Sequence, residues 1–473
     1  MKPFSRLFSG LTAGVLALSL FGAGCTQGPT PQAAALAQPV SLNVWGVIDD
    51  ESVYESSIRA YQAQHPNVTI NFRRLTLNEY ESELVNGMAE DRGPDIFLIH
   101  NDWTQKYLSK MSSMPASVTV GVPTTQGTVQ KTVVWNASTV SLMTNTEFQN
   151  TFVDTIARDT MRTVDVSADG TNPNFKMRIV GVPTFIDSMA LYYNRSLLNV
   201  AGIALPPQTW DEFQDNVRKM TKLDPRDPTK VTQSGAAIGT GSNVQRSPDL
   251  LAALMMQNGA EMTSNDGALT FQMIPAAKSG SVNEPPAIGA MRFYADFADP
   301  SKDVYTWNLD QQNSLDAFIQ GKTAFYFGYA YDQDVIKSRA PQLNLGLTKL
   351  PQISGLPQKN VANYWYWTVS KKSKQQTHAW NFLNFLAQKT QQQKISAASG
   401  RPSPRRDVLA EQLRDEKIGV FASQVLTSFT WYQGRDPKTM EQAFIDVMDK
   451  IAKKEVNFND AMSYLVERVS QTY

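Results

Sequence analysis

The sequence predicts an α/β protein with more than one domain, in which a mostly parallel sheet is flanked by helices. A chain of 473 residues is too long for one ordinary domain and suggests two or three. Strand-like and helix-like segments alternate near the N-terminus, which favours parallel pairing through right-handed crossovers. The apolar, aromatic stretch Asp187–Asn194 is typical of a strand that is buried in such a sheet.

Composition narrows the class of protein. Basic and acidic residues both number 44, so no net charge attracts nucleic acid or an anionic membrane. We therefore expect no nucleic-acid partner. The single cysteine, Cys25, can form no disulfide within the chain and leaves no second thiol for a cysteine-based metal site.

The N-terminus is typical of an export signal. Lys2 and Arg6 precede an apolar run, Leu11–Phe21, that is too short to span a bilayer as a mature helix. Small residues then lead to Cys25, which resembles a bacterial lipoprotein signal, although Gly22 stands where that pattern prefers leucine. The resemblance implies cleavage before Cys25 and lipid modification of its thiol. An ordinary secretory signal is the alternative.

Residues 26–40 have no charge, no aromatic side chain and no apolar period, so we expect a flexible tether there. The first domain follows as strands Ser41–Gly46, Val68–Leu75 and Asp95–His100, with helices from about Ser52 and over Glu79–Met88. In doubly wound sheets ligands gather at the carboxyl ends of the strands, which here carry Trp45 and the segment Asn101–Trp103.

The stretch over residues 115–178 is rich in Ser, Thr, Pro and Gly and includes the turn signal Asp169-Gly170. We interpret it as an excursion of the first domain, and the sequence assigns it no function.

Clear helix-capping signals follow the buried strand Asp187–Asn194. Asn194 can cap a short helix, and Gly202 suits the left-handed residue just beyond its end. Thr209 and Glu212 form a capping box at the next helix.

The stretch Gly181–Phe213 also resembles a known family. It is similar to the crossover segment of the ABC-transporter extracellular solute-binding proteins related to maltose-binding protein. The similar motifs are, in order, G-x-P, ALYYN, AGI, PP and TWDEF. Gly321–Gly328 resembles the second crossover of that family, and Tyr364–Ser370 resembles the third. The block Ser399–Pro404 is similar as well, so the resemblance extends from Ser41 to the C-terminus.

The resemblance implies a two-lobed, periplasmic-binding-protein-like fold of type II, with a mostly parallel sheet flanked by helices in each lobe and a multi-strand hinge between them. The implied division is a signal over 1–25, a tether over 26–40, a first lobe over 41–183 and 328–364, and a second lobe over 184–327 and 365–473. The hinge is expected near Val182–Phe185, Phe325–Gly328 and Trp365–Thr368.

Local signatures of catalysis are absent from the sequence. It has no G-x-S-x-G, H-E-x-x-H, Walker loop, EF-hand or C-x-x-C pattern, and we expect neither an enzyme nor a cofactor or metal. Glycoside hydrolysis needs only two carboxylates, so a surface-anchored glycan-processing enzyme is the alternative. Adjacent Tyr192 and Tyr193 raise ferric iron as a ligand, but neighbouring strand residues point to opposite faces, which favours core packing.

Aromatic and polar residues at expected strand ends and crossovers are the candidate ligand-binding residues. Ring faces can pack on the C–H faces of a sugar, while carboxylates and amides hydrogen-bond its hydroxyls. The candidates are Trp45, Asp102, Trp103, Phe185, Asp187, Trp307, Tyr329, Tyr364, Trp365, Trp367 and Arg401.

The family resemblance and these residues together predict the extracellular solute-binding component of an ABC importer. It would capture a sugar or oligosaccharide by hinge closure and deliver it to the permease subunits, which work with an ATPase. We expect a monomer in the bacterial cell envelope, held on the outer face of the cytoplasmic membrane by a lipid on Cys25. The alternatives are another solute, such as a polyol, a peptide or ferric iron, and delivery to a sensor.

Overall fold

The computed structural model describes residues 31–128, 131–167, 172–264 and 267–473. The strands are β1 (Val40–Gly46), β2 (Val68–Arg74), β3 (Ile96–His100), β4 (Ser117–Gln126), β5 (Thr132–Ser141), β6 (Met161–Asp165), β7 (Phe175–Ile179), β8 (Val182–Pro183), β9 (Asp187–Ser188), β10 (Ala190–Asn194), β11 (Lys222–Asp224), β12 (Asp227–Ala236), β13 (Thr323–Gly328), β14 (Leu345–Lys349), β15 (Asn360–Asn363), β16 (Trp365–Val369) and β17 (Ser428–Phe429).

The α-helices are α1 (Pro31–Leu36), α2 (Glu51–Gln64), α3 (Leu77–Ala89), α4 (Thr104–Tyr107), α5 (Asn145–Thr151), α6 (Asp154–Thr160), α7 (Arg195–Val200), α8 (Trp210–Met220), α9 (Ser247–Gln257), α10 (Pro286–Asp296), α11 (Ser314–Ile319), α12 (Asp332–Arg339), α13 (Gln376–Leu386), α14 (Lys389–Ser399), α15 (Arg406–Gln412), α16 (Gly419–Ala422), α17 (Pro437–Ala452) and α18 (Phe458–Ser470).

Two five-stranded sheets form the centres of two lobes, and helices flank both. The first sheet has the order β2-β1-β3-β16-β8, and the second has the order β11-β12-β13-β10-β14. The parallel pairing predicted for β1, β2 and β3 is confirmed. Antiparallel strands extend each sheet: β16 runs against β3, and β10 runs against both β13 and β14. The two-lobed α/β architecture with helix-flanked sheets is the predicted one. The expected mostly parallel pairing is corrected: the first sheet is half parallel and half antiparallel, and in the second only β12 and β13 pair in parallel.

Sheet membership corrects the expected division of the chain after residue 328. Residues 328–364 were assigned to the first lobe, yet β14 hydrogen-bonds to β10 in the second sheet. The range 365–473 was assigned to the second lobe, yet β16 pairs with β3 in the first sheet, and α13 packs into the first core. Of the described residues in that range, α17, α18 and the two aromatic residues Trp431 and Tyr432 pack into the second core. The segment Phe325–Gly328 is therefore no crossover, because β13 and β14 belong to one sheet.

The chain crosses between the lobes at a small third sheet with the order β17-β15-β9. Strand β9 leads from β8 in the first sheet to β10 in the second, and β15 leads back from β14 to β16. β15 pairs antiparallel with β9 and parallel with β17. The three strands together are called the hinge sheet below.

The expected tether differs from the structure in its described part. Residues 31–36 form α1, and the Asn67 side-chain amide donates to the carbonyls of Leu36 and Gln38, each at 3.2 Å. Strand β1 already begins at Val40. The segment after residue 30 is therefore held against the first lobe by hydrogen bonds. Cys25 lies outside the described residues.

The excursion over 115–178 consists largely of two hairpins and two short helices. β4 pairs with β5 over its whole length, and β6 pairs with β7. The turn signal Asp169-Gly170 falls outside the described residues. In the parts of the chain that the structure describes, no helix has the length and apolar character needed to cross a membrane.

Local capping chemistry fixes the start of the second lobe as the sequence indicates. The Asn194 side chain accepts from the backbone N–H of Ser196 at 3.0 Å at the start of α7. Thr209 and Glu212 form both bonds of the predicted capping box, each at 3.3 Å, at the start of α8. The caps set the residues at which α7 and α8 begin, and β10 is held by its pairing with β13 and β14.

Candidate ligand-binding cleft

The cleft between the lobes receives residues from the carboxyl end of β3 and from the helices α9 and α17. β3 ends at His100 and continues into a short 3₁₀ turn, Asn101–Trp103. On the other side, Arg246 directly precedes α9, and Glu441 lies in the first turns of α17. Ligands of open α/β sheets bind at such strand ends and helix starts.

Arg246 is the centre of an ion-pair network in the second lobe. Its guanidinium donates to both carboxylate oxygens of Asp249, at 2.8 and 2.9 Å, and to Glu441 at 3.0 Å. The Tyr329 hydroxyl donates to Asp249 at 2.6 Å. The backbone of Arg246 has a φ of 55°, in the left-handed region that side chains rarely adopt. Strain of this kind, about 1–3 kcal/mol, concentrates at functional sites.

His100 and Asp102 form the opposing pair in the first lobe. Nδ1 of His100 contacts the Asp102 carboxylate, and Nε2 lies 3.1 Å from the side-chain oxygen of Asn363. Burial has the largest effect and lowers the pKa of His100, but the charge and hydrogen bond of Asp102 and the hydrogen bond of Asn363 together raise it above its ordinary value. Two acceptors at the two ring nitrogens favour the cationic form.

The charges of the two lobes act on each other across the cleft. The positive charge of Arg246 opposes the raised pKa of His100. Burial raises the pKa of Glu441, Arg246 lowers it, and Asp102 on the other lobe raises it further. Six residues therefore belong to one electrostatic unit, called the cleft cluster below: His100, Asp102, Arg246, Asp249, Tyr329 and Glu441.

Asp187 and Arg401 lie at the hinge. Asp187 is 1% exposed, and its carboxylate accepts from the backbone N–H groups of Ala330 and Ser188, both at 2.8 Å. Burial is the largest cause that raises the pKa of Asp187 to about 7, against these hydrogen bonds and the charge of Arg401. Arg401 forms an ion pair with Asp49.

Two of the candidate aromatic residues meet at the cleft cluster. The ring centroids of Trp103 and Trp365 are 5.3 Å apart, and Trp365 lies 5.2 Å from the ring of His100. Tyr329 joins them from the second lobe and stacks on Tyr331, at 5.8 Å. The structure thus brings Asp102, Trp103, Tyr329 and Trp365 to one region.

Other candidates are core residues in this structure, and the expectation that they line the cleft is corrected. Trp307 has no exposed surface, and its indole N–H donates to Asn243 at 3.1 Å. Tyr364 is fully buried and donates to Asp159 at 2.8 Å. Trp367 packs edge-on against Tyr54 and Phe72.

Two further aromatic candidates are covered by arginine side chains of the first lobe. The Arg73 guanidinium lies 4.8 Å from the ring centre of Trp45, which also packs on Gly87 of α3. Arg401 covers the buried ring of Phe185 at 3.7 Å. Trp45 therefore contacts a flanking helix, whereas Phe185 stays next to the hinge.

The adjacent tyrosines Tyr192 and Tyr193, which raised ferric iron as a ligand, lie in the buried strand β10. The Tyr192 hydroxyl donates to the carbonyl of Tyr329 at 2.5 Å in a fully buried position. Among the described residues, no group of three or more His, Cys, Asp or Glu side chains could hold a metal ion.

Sequence reasoning missed Arg246 and Glu441. A signal existed for Arg246, because Pro248 marks the start of a helix shortly after β12 ends at Ala236. A polar residue at that place lies near the carboxyl end of a strand. Glu441 gave no such signal, since an acidic residue on an amphipathic helix is ordinarily a solvated one.

The comparisons with known proteins agree with this two-lobed fold. The sequence model of the family described as "Bacterial extracellular solute-binding protein" matches residues 45–393. The chain belongs to that family of solute-binding proteins.

Individual relatives are distant in sequence. A Brucella abortus protein that carries the name of a binding protein is 22% identical over 354 residues, which cover 73% of this chain and 71% of the relative. A Deinococcus radiodurans protein named as an ABC transporter-binding protein is 21% identical over 230 residues, covering 48% and 51%. The crystal structure of the cyclic α-maltosyl-1,6-maltose binding protein of Arthrobacter globiformis matches with a TM-score of 0.69 at 15% identity, covering 92% of this chain and 99% of that one.

Proposed function

We propose that this protein is the extracellular solute-binding component of an ABC importer and that its solute is a sugar or oligosaccharide. The observation that carries the proposal is the cleft cluster, in which His100 and Asp102 of one lobe interact with Arg246 and Glu441 of the other. A solute held there would contact both lobes at once. It would therefore favour their closed arrangement over an open one.

The chemistry of the cleft supports a polyhydroxylated solute. Carboxylates and guanidinium groups can accept from and donate to sugar hydroxyls, and Trp103, which is half-buried, offers a ring face beside them. The structurally similar Arthrobacter protein is named for a cyclic maltosaccharide, and the Deinococcus relative is named for an ABC transporter. Both names favour the same proposal for this chain.

The mechanism would be closure about the hinge sheet and delivery of the closed form to the permease. β9, β15 and β17 carry the crossings between the lobes, so small changes in their backbone angles would swing whole lobes. The protein would act by binding alone, and the energy of transport would come from the ATPase of the importer. A lipid on Cys25 would hold the protein at the outer face of the membrane.

A thermal-shift screen tests the proposed solute class. Neutral oligosaccharides, polyols, amino acids and short peptides would be offered to the mature chain. A bound solute at about a hundred times its dissociation constant adds about 2.7 kcal/mol to stability. Stabilisation by oligosaccharides, with unchanged sugar recovered afterwards, is the expected result. Stabilisation by peptides or amino acids alone contradicts the sugar proposal, and release of shortened sugars favours a glycan-processing enzyme.

A further inference from the structure

A second space between the lobes is lined by three arginines. It has a volume of about 550 Å³ and takes Gln105, Arg158 and Arg162 from the first lobe. Thr430, Gln433 and Arg435, from the segment between β17 and α17, line the other side. Thr263, Ser264, Gly267 and Tyr473 complete the lining of this space, which is called the arginine cavity below.

The arginine cavity adjoins the cleft cluster. Asn101, the neighbour of Asp102, donates to the hydroxyl of Thr430 at 2.8 Å. Gln105 lies one helical turn beyond Asn101, on α4, and lines the cavity. The arginine cavity and the cleft cluster are therefore neighbours at the end of β3.

The guanidinium groups of this cavity are bound mostly to neutral acceptors. Arg162 donates to the Arg158 carbonyl at 2.7 Å and to the Gln433 side chain at 2.9 Å. Arg158 donates to the Thr430 carbonyl at 3.3 Å. Within the described ranges, no carboxylate lies within the 4.0 Å ion-pair distance of the Arg162 or Arg435 side chain. The planar donor fork of Arg435 is thus available to a ligand.

A further basic side chain, Lys359, lies near Arg158 beside the cavity. Arg158 and Lys359 both lie over the ring of Phe429, at 5.6 and 4.0 Å. Burial, and then the charge of Arg158, lowers the pKa of Lys359. Among the described residues, the carboxylate of Asp159 lies 3.5 Å from Arg158 and is fully buried. Burial raises the pKa of Asp159, and the charges of Arg158 and Arg162 lower it.

We propose that the arginine cavity binds an oxyanion, the carboxylate or phosphate group of an acidic sugar. Arginine forks bind such groups bidentately and strongly, and an anion would relieve the mutual repulsion of the three cations. The volume is within the range of small-molecule sites, and the glutamine and threonine side chains can bond sugar hydroxyls. The inference rests on the proposed function in one respect, that the solute is captured between the lobes.

Calorimetric titrations with matched probes test the inference. Glucuronate and glucose 6-phosphate are compared with glucose, and inorganic phosphate is titrated as the free anion. We expect at least one acidic sugar to bind about tenfold or more tightly than glucose, as one charge-assisted pair implies. Preference for glucuronate identifies a carboxylate as the ligand group, and preference for glucose 6-phosphate identifies a phosphate.

Variants link the binding to the cavity. The exposed Arg435 and the half-buried Arg162 are replaced singly, as Arg435→Gln and Arg162→Gln, with Arg226→Gln as an exposed control outside the cavity. If Arg162→Gln fails to fold, Arg435→Gln alone tests whether the cavity binds the acidic sugar. Both cavity variants should lose the preference for the acidic sugar, and the control should keep it.

The outcomes separate this inference from the proposed function. The inference is overturned if glucuronate, glucose 6-phosphate and phosphate all fail to bind. It is also overturned if they bind to Arg435→Gln with the same affinity as to the wild type. If neutral oligosaccharides still bind when the acidic probes do not, the proposed function is retained. Arginine-dependent binding of phosphate without binding of any sugar retains the anion site and contradicts the sugar-capture function.

Discussion

The carboxylate of Asp187 accepts a hydrogen bond from the backbone N–H of Ala330 at 2.8 Å. This bond connects the hinge sheet with the segment that follows β13 in the second lobe. Asp187 is 1% exposed, so neither group reaches water. The first crossing and the second lobe are thus joined by a buried polar contact whose strength depends on the protonation of one side chain.

The first prediction concerns stability and pH. Burial raises the pKa of Asp187 to about 7, and it also raises the pKa of Asp332 to about 6, both above the ordinary value of the unfolded chain. A carboxyl group whose pKa is raised in the folded state stabilises the fold when it is protonated. This contribution to the free energy of unfolding is complete below about pH 4 and is lost as the pH rises to about 7. Asp187→Asn should therefore flatten the decline of unfolding free energy between pH 4 and 7.

Urea denaturation of the wild type and Asp187→Asn at several pH values measures this slope. The exposed Asp334→Asn is the matched control and should follow the wild type. Because asparagine offers one oxygen to two N–H donors, the variant should also be about 1–3 kcal/mol less stable at low pH. Equal slopes for all three proteins contradict the role given to Asp187.

The second prediction separates two tryptophans of β16. Trp367 packs against Tyr54 and Phe72 in the first core, so Trp367→Ala should cost about 3–5 kcal/mol of stability. Trp365 also belongs to the first core, but it contacts Trp103 and His100 at the cleft, so Trp365→Ala should in addition weaken solute binding by about 2 kcal/mol or more. Thermal melts and calorimetry on both variants measure the two effects. Wild-type solute affinity in Trp365→Ala argues against the assigned cleft.

The third prediction concerns Arg246. Its guanidinium pairs with both Asp249 and Glu441, and Arg246→Gln leaves these carboxylates without a cation. We expect solute affinity to fall at least about tenfold, and Arg246→Lys to restore only part of it, since lysine cannot bind Asp249 bidentately. Calorimetry measures the affinities, with Arg59→Gln as an exposed control. A glutamine variant with wild-type affinity shows that the cleft cluster does not hold the solute.

Sequence reasoning predicted what depends on neighbours along the chain. The capping box of Thr209 and Glu212 and the cap at Asn194 need only residues a few positions apart, and both are confirmed. The alternation of strands and helices from β1 to β3 is similarly local. Each strand or helix is predicted from the spacing of apolar residues within its own segment.

The errors involve partners far apart in sequence. An apolar strand such as β14 or β16 fits either sheet, and only its hydrogen bonds to β10 or β3 decide which lobe it enters. Trp307 and Trp103 look alike in sequence, yet one is enclosed in a core and the other is half-buried at the cleft. Arg246 and Glu441 are 195 residues apart, and no local pattern indicates their pairing.

The fourth prediction concerns the anchor. If Cys25 carries lipid, Cys25→Ser should move the protein from the membrane fraction to the soluble fraction, because the thiol that receives the lipid is gone. Fractionation followed by immunoblotting measures the distribution, and Ser41→Ala serves as a control beyond the signal. A serine variant that stays with the membrane contradicts lipid anchoring at this residue.

Small-angle X-ray scattering with and without solute tests the central claim, capture of a sugar by closure of two lobes, most directly. The mature chain is measured alone and with a saturating amount of the oligosaccharide that gives the largest thermal shift. We expect a smaller radius of gyration in the bound state, because a change at the hinge sheet swings whole lobes toward each other. Scattering curves that coincide at saturating oligosaccharide contradict capture by hinge closure.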